Sequence, residues 1–237
     1  MKIGILGGTF NPIHAGHLII AQAVYEKFKL DQILFIPCHT PYHKQNTYSP
    51  RCYIGGQVAE PKHRLKMVEL ATNNIAHFGV SDIDIKKGGL TYSLETLRRL
   101  KQNYPASAKF HFIIGADSLP ELPLWYKIKE LSRLCEFITV ARPVLRLRRI
   151  IGTPRNGCHC ESRLAGRSNL VSLRELKTIS QKLGAGFARK IERNFLKHPI
   201  INISSTEIRA RLKKRQSIKY LVPPSVEKYI INHKLYP

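Results

Sequence analysis

The sequence lacks any apolar run long enough to cross a membrane. The best run, residues 18–24, is interrupted by Gln22, and a spanning helix needs roughly 18–20 apolar residues. A signal-peptide plan is missing as well, because the apolar residues 3–6 are followed at once by Gly7 and Gly8. We find no internal repeat and no low-complexity tract. A hydrophobic content of 43% is enough to bury a core, so we expect a folded, cytoplasmic protein without a membrane partner.

Acidic residues are scarce. The chain has 16 Asp and Glu against 39 Lys and Arg, which gives a formal net charge of +23. Residues 142–197 hold 14 basic residues and three Glu, and so carry 11 of these excess charges. Basic surfaces attract nucleic acid without sequence preference. Nonspecific nucleic-acid contact through residues 142–197 is therefore one interpretation. We favour the alternative, in which the segment is solvated and has no function.

The five cysteines show no spacing typical of disulfides, which is consistent with a reducing compartment. Cys158, His159 and Cys160 are potential metal ligands, but a C-x-C pair without a second pair is half of a zinc site at most. We interpret this group as chance clustering in a loop.

Short apolar segments alternate with amphipathic ones along most of the chain. The pattern predicts strands at residues 2–6, 32–36, 80–85, 109–114, 136–140 and 199–203, and helices from residue 16, around residues 65–75 and at residues 93–103, 206–214 and 224–233. Such alternation is typical of α/β proteins with a parallel sheet. We predict one domain over residues 1–237, a Rossmann-like doubly wound sheet with a helical C-terminal part. Residues 144–195, with one convincing helix near 170–183, are predicted as a basic insertion or a loosely packed excursion.

The chemically interesting residues follow the predicted strands, where ligands of such sheets bind. Gly7 and Gly8 allow backbone N–H groups to approach a phosphate, and the N-terminus of the next helix adds positive potential. His14 and His17 lie three residues apart around Gly16 at the start of that helix. Both imidazoles can therefore face one anion and stabilise negative charge that develops on it.

A second candidate anion site lies near the other end of the chain. The predicted strand that ends at Ile203 is followed by Ser204, Ser205 and Thr206, and Arg209 lies one turn into the next helix. Hydroxyls and backbone N–H groups at a helix N-terminus cap the helix and can also bind phosphate. The two functions can coexist in the same residues.

These two segments carry a family resemblance. Residues 7–17, GGTFNPIHAGH, resemble the signature of the nucleotidyltransferase superfamily, whose H-x-G-H motif is shared with class I aminoacyl-tRNA synthetases. Residues 203–209, ISSTEIR, resemble its second signature, I-S-S-T-x-x-R. Within the superfamily the chain most resembles nicotinate-mononucleotide adenylyltransferases. Further matching blocks are residues 37–44, 91–97, 112–119, 125–126, 140–143 and 220–223.

The resemblance implies adenylyl transfer from ATP to nicotinate mononucleotide in NAD biosynthesis, with Mg²⁺ held mainly by phosphates. It implies catalytic roles for His14, His17 and Arg209. It implies ATP contacts from Gly7, Gly8, Thr9, Phe10, Arg142, Ser204, Ser205 and Thr206. It implies contacts to the acceptor from Lys44, Thr91, Tyr92, Gly115, Asp117 and Trp125.

The chain departs from the family pattern at two single residues and in two segments, residues 51–61 and the longer, more basic residues 144–195. Asn11 stands where Asp is frequent, and Tyr42 replaces the second proline of the P-P-H-K loop that carries Lys44. Three alternatives stay open: the same reaction on nicotinamide mononucleotide, the same reaction on another phosphate such as phosphopantetheine, and a basic nucleic-acid-binding protein with a degenerate nucleotide site. The sequence leaves the oligomeric state open, including a homo-oligomer.

Overall fold

The computed structural model describes residues 1–40, 58–141, 173–197, 201 and 203–237. Within these ranges the strands are β1 (Lys2–Gly8), β2 (Gln32–Pro37), β3 (Phe78–Val80), β4 (Lys109–Gly115), β5 (Glu136–Val140) and β6 (Phe195–Leu196). The helices are α1 (Ala15–Phe28), α2 (Pro61–Thr72), α3 (Ile83–Lys87), α4 (Ser93–Gln102), α5 (Ile128–Leu134), α6 (Leu173–Leu183), α7 (Ala185–Arg193), α8 (Ser205–Lys213) and α9 (Pro224–Asn232). Short 3₁₀ turns at Ala116–Ser118 and Leu122–Leu124 lie between β4 and α5. In the described ranges, no helix combines the length and the apolar character that a membrane span requires.

The strands form one sheet in the order β3-β2-β1-β4-β5-β6, and every neighbouring pair is parallel. The chain therefore builds one half of the sheet outward from β1 and the other half outward from β4. The strand order reverses between these two strands, which places a ligand crevice at their carboxyl ends. This topology confirms the predicted doubly wound α/β fold.

The sheet separates two hydrophobic layers. Along β2, Ile33 and Phe35 pack into one layer, and Leu34 and Ile36 pack into the other, as the alternation of side chains along a strand requires. Side chains of α1, α2, α8 and α9 complete the first layer. Side chains of α4, α5, α6 and α7 complete the second layer. The predicted helical C-terminal part, α8 and α9, therefore packs into the first hydrophobic layer on the sheet.

The prediction of a strand at residues 80–85 is wrong. The strand β3 ends at Val80, and α3 begins at Ile83. The Ser81 Oγ accepts a hydrogen bond from the N–H of Ile83 at 3.4 Å, and the Asp82 carboxylate pairs with Lys86 at 3.1 Å, one helical turn later. These local contacts favour a helix over the strand that the alternating Ile and Asp residues suggested.

The region 144–195 contains more regular structure than the sequence indicated. Besides the predicted helix, here α6, the structure contains α7, whose N-cap Gly184 adopts φ 96°, a left-handed conformation that favours glycine. Ile179 and Ile191 are each 1% exposed, so a loosely packed excursion is wrong for α6 and α7. Residues 142–172 lie outside the described ranges, and an insertion there stays a prediction.

The prediction of a strand at residues 199–203 is also wrong where it can be compared. Of this range, the structure describes Ile201 and Ile203, and neither lies in a strand. The strand β6, which pairs with β5, lies a few residues before the predicted range. Its residues Phe195 and Leu196 are apolar, but the arginines and glycines before them hid the strand signal.

Candidate active site

The N-terminus of α1 brings the two predicted histidines together. His14 is the N-cap residue, with extended backbone at φ −146° and ψ 169°. Its N–H donates a hydrogen bond to the Nδ1 atom of His17 at 3.2 Å. The centroids of the two imidazole rings are 3.7 Å apart, and the ring planes are inclined by 30°. The H-x-G-H spacing therefore produces one compact pair of imidazoles at the start of a helix.

Gly16 makes this pair possible. A Cβ atom at residue 16 would lie 3.0 Å from the Nδ1 atom of His14 and 3.4 Å from the Cγ2 atom of Ile201. Any side chain there would push against the imidazole. The ring of Phe10 packs edge-on against His17, with 5.1 Å between centroids. The imidazole pair therefore has a packing partner at His17 and little room for a side chain at residue 16.

The N-terminus of α8 lies against the turn that leads into α1. The Ser204 Oγ caps α8 by accepting the N–H of Glu207 at 3.1 Å. The hydroxyl of Ser205 donates to the carbonyl of Pro12 at 2.8 Å. These contacts join the two sequence motifs, and they place two helix N-termini beside each other. Helix N-termini carry positive potential, so the pair favours an anion between them.

Arg209 lies beneath the same turn. Its guanidinium donates to the carbonyl of Asn11 at 2.7 Å and to the Oγ1 atom of Thr206 at 3.3 Å. The residue is 7% exposed, and burial lowers the pKa of its guanidinium. Its side chain therefore supports the glycine-rich turn, and a direct contact to phosphate stays a prediction.

The carboxyl end of β4 places Gly115 and Asp117 at the crevice between β1 and β4. Asp117 is exposed in the 3₁₀ turn that follows the strand. Gly7 and Gly8, at the end of β1, lie at the same edge of the sheet. The structure thus brings the predicted ATP-binding glycines of β1 and the predicted mononucleotide-binding residues after β4 to one crevice.

Aromatic rings form the neighbouring part of the site. Trp125 is partly buried, and its ring packs edge-on against Phe112 and Phe137, with centroid distances of 6.1 Å and 6.3 Å. Tyr126 is 44% exposed and stacks on Tyr92, with 4.5 Å between centroids. Trp125 therefore serves the core at least in part, whereas the Tyr92–Tyr126 stack faces outward. Sequence reasoning did not single out the side chain of Tyr126.

Several predicted residues lie outside the described residues. Lys44, on the predicted acceptor loop, and Arg142, on the predicted adenosine side, belong to this group. The candidate metal ligands Cys158 and Cys160 do as well. Their roles stay predictions. Thr91 immediately precedes Tyr92, the N-cap residue of α4, and its contact to the acceptor stays a prediction.

Arg64 is a polar residue of the site that sequence reasoning missed. It is fully buried, and its guanidinium donates hydrogen bonds to four backbone carbonyls, those of Thr9, Cys38, His39 and Ala59. Burial lowers the pKa of the Arg64 guanidinium. A signal was present in the sequence, since residue 64 lies on the same helical face as Val68 and Ala71, and a charged residue on an apolar face needs partners.

Asn11, which departs from the family pattern, is a second buried polar residue of the site. Its side-chain Oδ1 atom accepts the N–H of Ala59 at 3.0 Å and the hydroxyl of Tyr236 at 2.7 Å. Tyr236 is 5% exposed, and burial raises the pKa of its phenol. An amide oxygen performs this acceptor role as well as a carboxylate would, which explains why Asn is compatible with the turn.

The described residues do not form a metal cage. In the parts of the chain that the structure describes, no group of three or more His, Cys, Asp or Glu side chains could hold a metal ion. Mg²⁺ commonly binds through one or two carboxylates together with substrate phosphates, and the exposed Asp117 carboxylate at the crevice is compatible with that donor set.

Comparison with known proteins identifies the family to which the sequence is similar. The sequence matches the family model described as cytidylyltransferase-like over residues 5–211. It is 38% identical over 235 residues to the probable nicotinate-nucleotide adenylyltransferase of Synechococcus sp. (strain JA-3-3Ab), with 99% of this chain and 94% of that protein covered. It is 36% identical over 236 residues to the probable nicotinate-nucleotide adenylyltransferase of Thermoanaerobacter sp. (strain X514), with 100% and 94% covered.

Solved structures share the fold. The chain is similar to Plasmodium falciparum nicotinic acid mononucleotide adenylyltransferase complexed with NaAD, with a TM-score of 0.65 and 19% sequence identity. The superposition covers 99% of this chain and 97% of that chain. At 19% identity, the similarity to this solved structure supports the fold alone. The relatives at 36–38% identity support the assignment to a family.

Proposed function

Because the chain belongs to the nicotinate-nucleotide adenylyltransferase family, within the cytidylyltransferase-like group, we propose that it transfers the adenylyl group of ATP to nicotinate mononucleotide. The products are nicotinate adenine dinucleotide, a precursor of NAD, and pyrophosphate. The observation that carries the proposal is the junction of the two motifs, where Ser205 contacts Pro12 and Arg209 contacts Asn11 beside the imidazole pair. Two helix N-termini and the imidazole pair meet at this junction, and this arrangement favours the binding of a polyphosphate.

The reaction is an in-line displacement. A 5′-phosphate oxygen of the mononucleotide forms a bond to the α-phosphorus of ATP, and the bond from that phosphorus to the bridging oxygen of the β-phosphate breaks. The attacking phosphate is already anionic at neutral pH, so the step needs no general base. Catalysis then consists of positioning and of stabilising the charge on the α-phosphate and the departing pyrophosphate.

The imidazoles of His14 and His17 take the central role in this proposal. They lie at the N-terminus of α1, where the first helical turn carries no acidic residue to oppose an anion. Fixed donors beside a developing charge are more effective than water, because they need no reorientation during the step. Ser204, Ser205 and Thr206 complete the phosphate contacts from the N-terminus of α8.

The acceptor binds, in this proposal, at the carboxyl end of β4. Asp117 hydrogen-bonds ribose hydroxyls, Thr91 and Tyr92 contact the nicotinate, and Trp125 offers its ring face to the pyridine. Lys44 pairs with the mononucleotide phosphate, and Arg142 contacts the adenosine. Mg²⁺ bound to the phosphates would neutralise part of their charge, with Asp117 as a candidate protein ligand. We place the enzyme in the cytoplasm, where its substrates occur.

A pyrophosphate-release assay tests the proposal. ATP is combined in turn with nicotinate mononucleotide, nicotinamide mononucleotide and phosphopantetheine, and kcat/KM is measured for each acceptor. We expect nicotinate mononucleotide to give the highest kcat/KM. A higher kcat/KM with the amide, or with phosphopantetheine, would overturn the choice of acceptor, and no release with any of the three would overturn the activity.

A further inference from the structure

Arg64 connects three segments that meet beneath the crevice. Its Nε atom donates to the carbonyl of Ala59 at 3.0 Å, just before α2. One terminal nitrogen donates to the carbonyl of Thr9 at 2.9 Å and to that of Cys38 at 2.7 Å. The other donates to the carbonyl of His39 at 2.6 Å. One side chain therefore holds the turn after β1, the loop after β2 and the entry to α2.

The position of Arg64 is an unusual one for a charged side chain. Arg64 is 0% exposed, and no carboxylate among the described residues lies within ion-pair distance of it. Removing a guanidinium from water is costly, and an apolar side chain on the same helical face would avoid that cost. Arginine, however, is the one side chain with a planar set of donors that reaches carbonyls in several directions at once.

Two of the segments that Arg64 joins are assigned to different substrates in the proposed reaction. Thr9 belongs to the glycine-rich turn that ends at the imidazole pair, which handles ATP in the proposed reaction. Cys38 and His39 begin the loop that leads to Lys44, which is assigned to the acceptor phosphate. A direct backbone contact also links the segments, since the N–H of Cys38 donates to the carbonyl of Gly8 at 3.0 Å.

Asn11 strengthens the same junction from the other side of the turn. The backbone of Ala59 links the two residues, since its carbonyl accepts from Arg64 and its N–H donates to Asn11. The hydroxyl of Tyr236 donates to the same oxygen of Asn11. The turn at Thr9 and Asn11 is thus held by hydrogen bonds from four other residues, which are Arg64, Ala59, Tyr236 and Arg209.

We infer that Arg64 is a positioning residue that fixes the ATP-binding turn relative to Cys38 and His39, which precede Lys44 in the chain. The inference rests on the proposed function, because it assigns the two loops to the two substrates. In-line displacement depends on the relative placement of the two reacting phosphates, and small displacements lower the rate strongly. A residue that sets this placement affects turnover more than it affects the binding of either substrate alone.

The test uses Arg64→Lys, which keeps the positive charge but cannot reproduce four hydrogen bonds. We expect kcat to fall by about tenfold or more, while the affinity for a non-hydrolysable ATP analogue changes by less than about threefold. Arg64→Met separates charge from geometry, and we expect it to be at least as defective as Arg64→Lys. A Lys variant with nearly normal kcat would overturn the inference, because charge alone would then suffice.

Thr72→Val is the matched control. Thr72 is also buried on α2, and its hydroxyl donates to the carbonyl of Val68 at 2.9 Å within the helix. The control therefore loses a buried hydrogen bond of the same helix without touching either loop. We expect a lower melting temperature with unchanged kcat. Equal losses of kcat in Thr72→Val and Arg64→Lys would overturn the positioning role.

A second measurement does not depend on activity. Hydrogen exchange of the Cys38 amide, which bonds to Gly8, reports directly on the junction. We expect faster exchange there in Arg64→Lys and unchanged exchange in Thr72→Val. If Arg64→Lys does not fold, Tyr236→Phe removes only the hydroxyl that donates to Asn11, and we expect faster exchange in the turn with a smaller loss of kcat. Unchanged exchange and kcat in that variant would overturn the inference.

The two proposals fail in different ways. A wrong acceptor appears in the wild-type enzyme as turnover of another mononucleotide, and the Arg64 variants are then compared on that substrate. A wrong role for Arg64 appears only as a ratio of variant to wild type, and as unchanged exchange of the Cys38 amide.

Discussion

The phosphate side of the site, formed by the N-termini of α1 and α8, differs in construction from the ring side, formed by residues 91–92 and 125–126. On the phosphate side, hydrogen bonds join residues that are far apart in sequence, such as Ser205 to Pro12 and Arg209 to Asn11. On the ring side, Tyr126 is half exposed and stacks on Tyr92, and Trp125 packs against core aromatics.

This difference corresponds to two chemical tasks. Stabilising charge in a transition state requires donors that are already in place, because their reorientation would add to the barrier. Recognising a planar ring requires apolar area and tolerates small movements of the side chains. The phosphate side is therefore expected to control kcat, and the ring side is expected to control the KM for the mononucleotide.

The largest effect is expected from His17→Ala. Removal of this imidazole should lower kcat by well over about tenfold, which corresponds to about 1.4 kcal/mol or more of lost transition-state stabilisation, with a modest change of KM. Steady-state kinetics with both substrates measures this. The control is His77→Ala. His77 also stacks on an aromatic ring, that of Tyr25, but it immediately precedes β3 and so lies at the amino end of the sheet, away from the crevice. A His17 variant with nearly normal kcat would contradict the assigned role.

A somewhat smaller loss is expected from Gly16→Ala. The added methyl group would lie 3.0 Å from the Nδ1 atom of His14, so the imidazole pair must shift. We expect kcat to fall by about tenfold, because displaced donors stabilise charge less well. Gly186→Ala is the control, since a Cβ atom added there meets no described atom within 4 Å apart from its chain neighbours and its own helix backbone. Equal kinetics in the two variants would show that the close contact at Gly16 is irrelevant to turnover.

Ser205→Ala tests the junction between the two motifs. Loss of the hydrogen bond to Pro12 should lower the free energy of unfolding by about 1 kcal/mol and raise the KM for ATP severalfold. Ser225→Ala is a matched control, because the Ser225 hydroxyl also donates to a distant carbonyl, that of Leu70, from the first turn of a helix. Denaturant unfolding and kinetics together decide the matter: a raised KM in both variants would assign the effect to general destabilisation.

The smallest effect is expected on the ring side. Tyr126→Ala removes the exposed partner of the Tyr92 stack and should raise the KM for the mononucleotide by about two- to fivefold, with kcat nearly unchanged. Leu124→Ala, at an exposed position of the same segment, should change neither parameter. A loss of kcat larger than the change in KM would break the division between the two sides.

Local sequence signals predicted the parts of the molecule that local chemistry controls. The strands that end at Gly8 and Gly115 were predicted because each is a short apolar run followed by glycine. The helix that begins after Ser204 was predicted from its capping sequence. The strand β3 and helix α3 were misplaced, because Ser81 and Asp82 start a helix inside a pattern that alternates like a strand.

The contacts that assemble the site could be predicted only in part. The two motifs were expected to cooperate, but the sequence gives no register for the contacts of Ser205 and Arg209 with the turn before α1. The role of Arg64 depends on carbonyls from three segments that meet only in the folded chain. Such long-range contacts follow from the packing of the two layers on the sheet, and a single sequence carries no direct record of them.

The most direct test of the account follows the transferred group itself. The enzyme is incubated with nicotinate mononucleotide and ATP that is labelled at the α-phosphorus, and the products are separated. The account predicts that the label appears in nicotinate adenine dinucleotide, in an amount equal to the pyrophosphate released. Label that stays in ATP, or that appears as AMP without a dinucleotide, would contradict adenylyl transfer at this site.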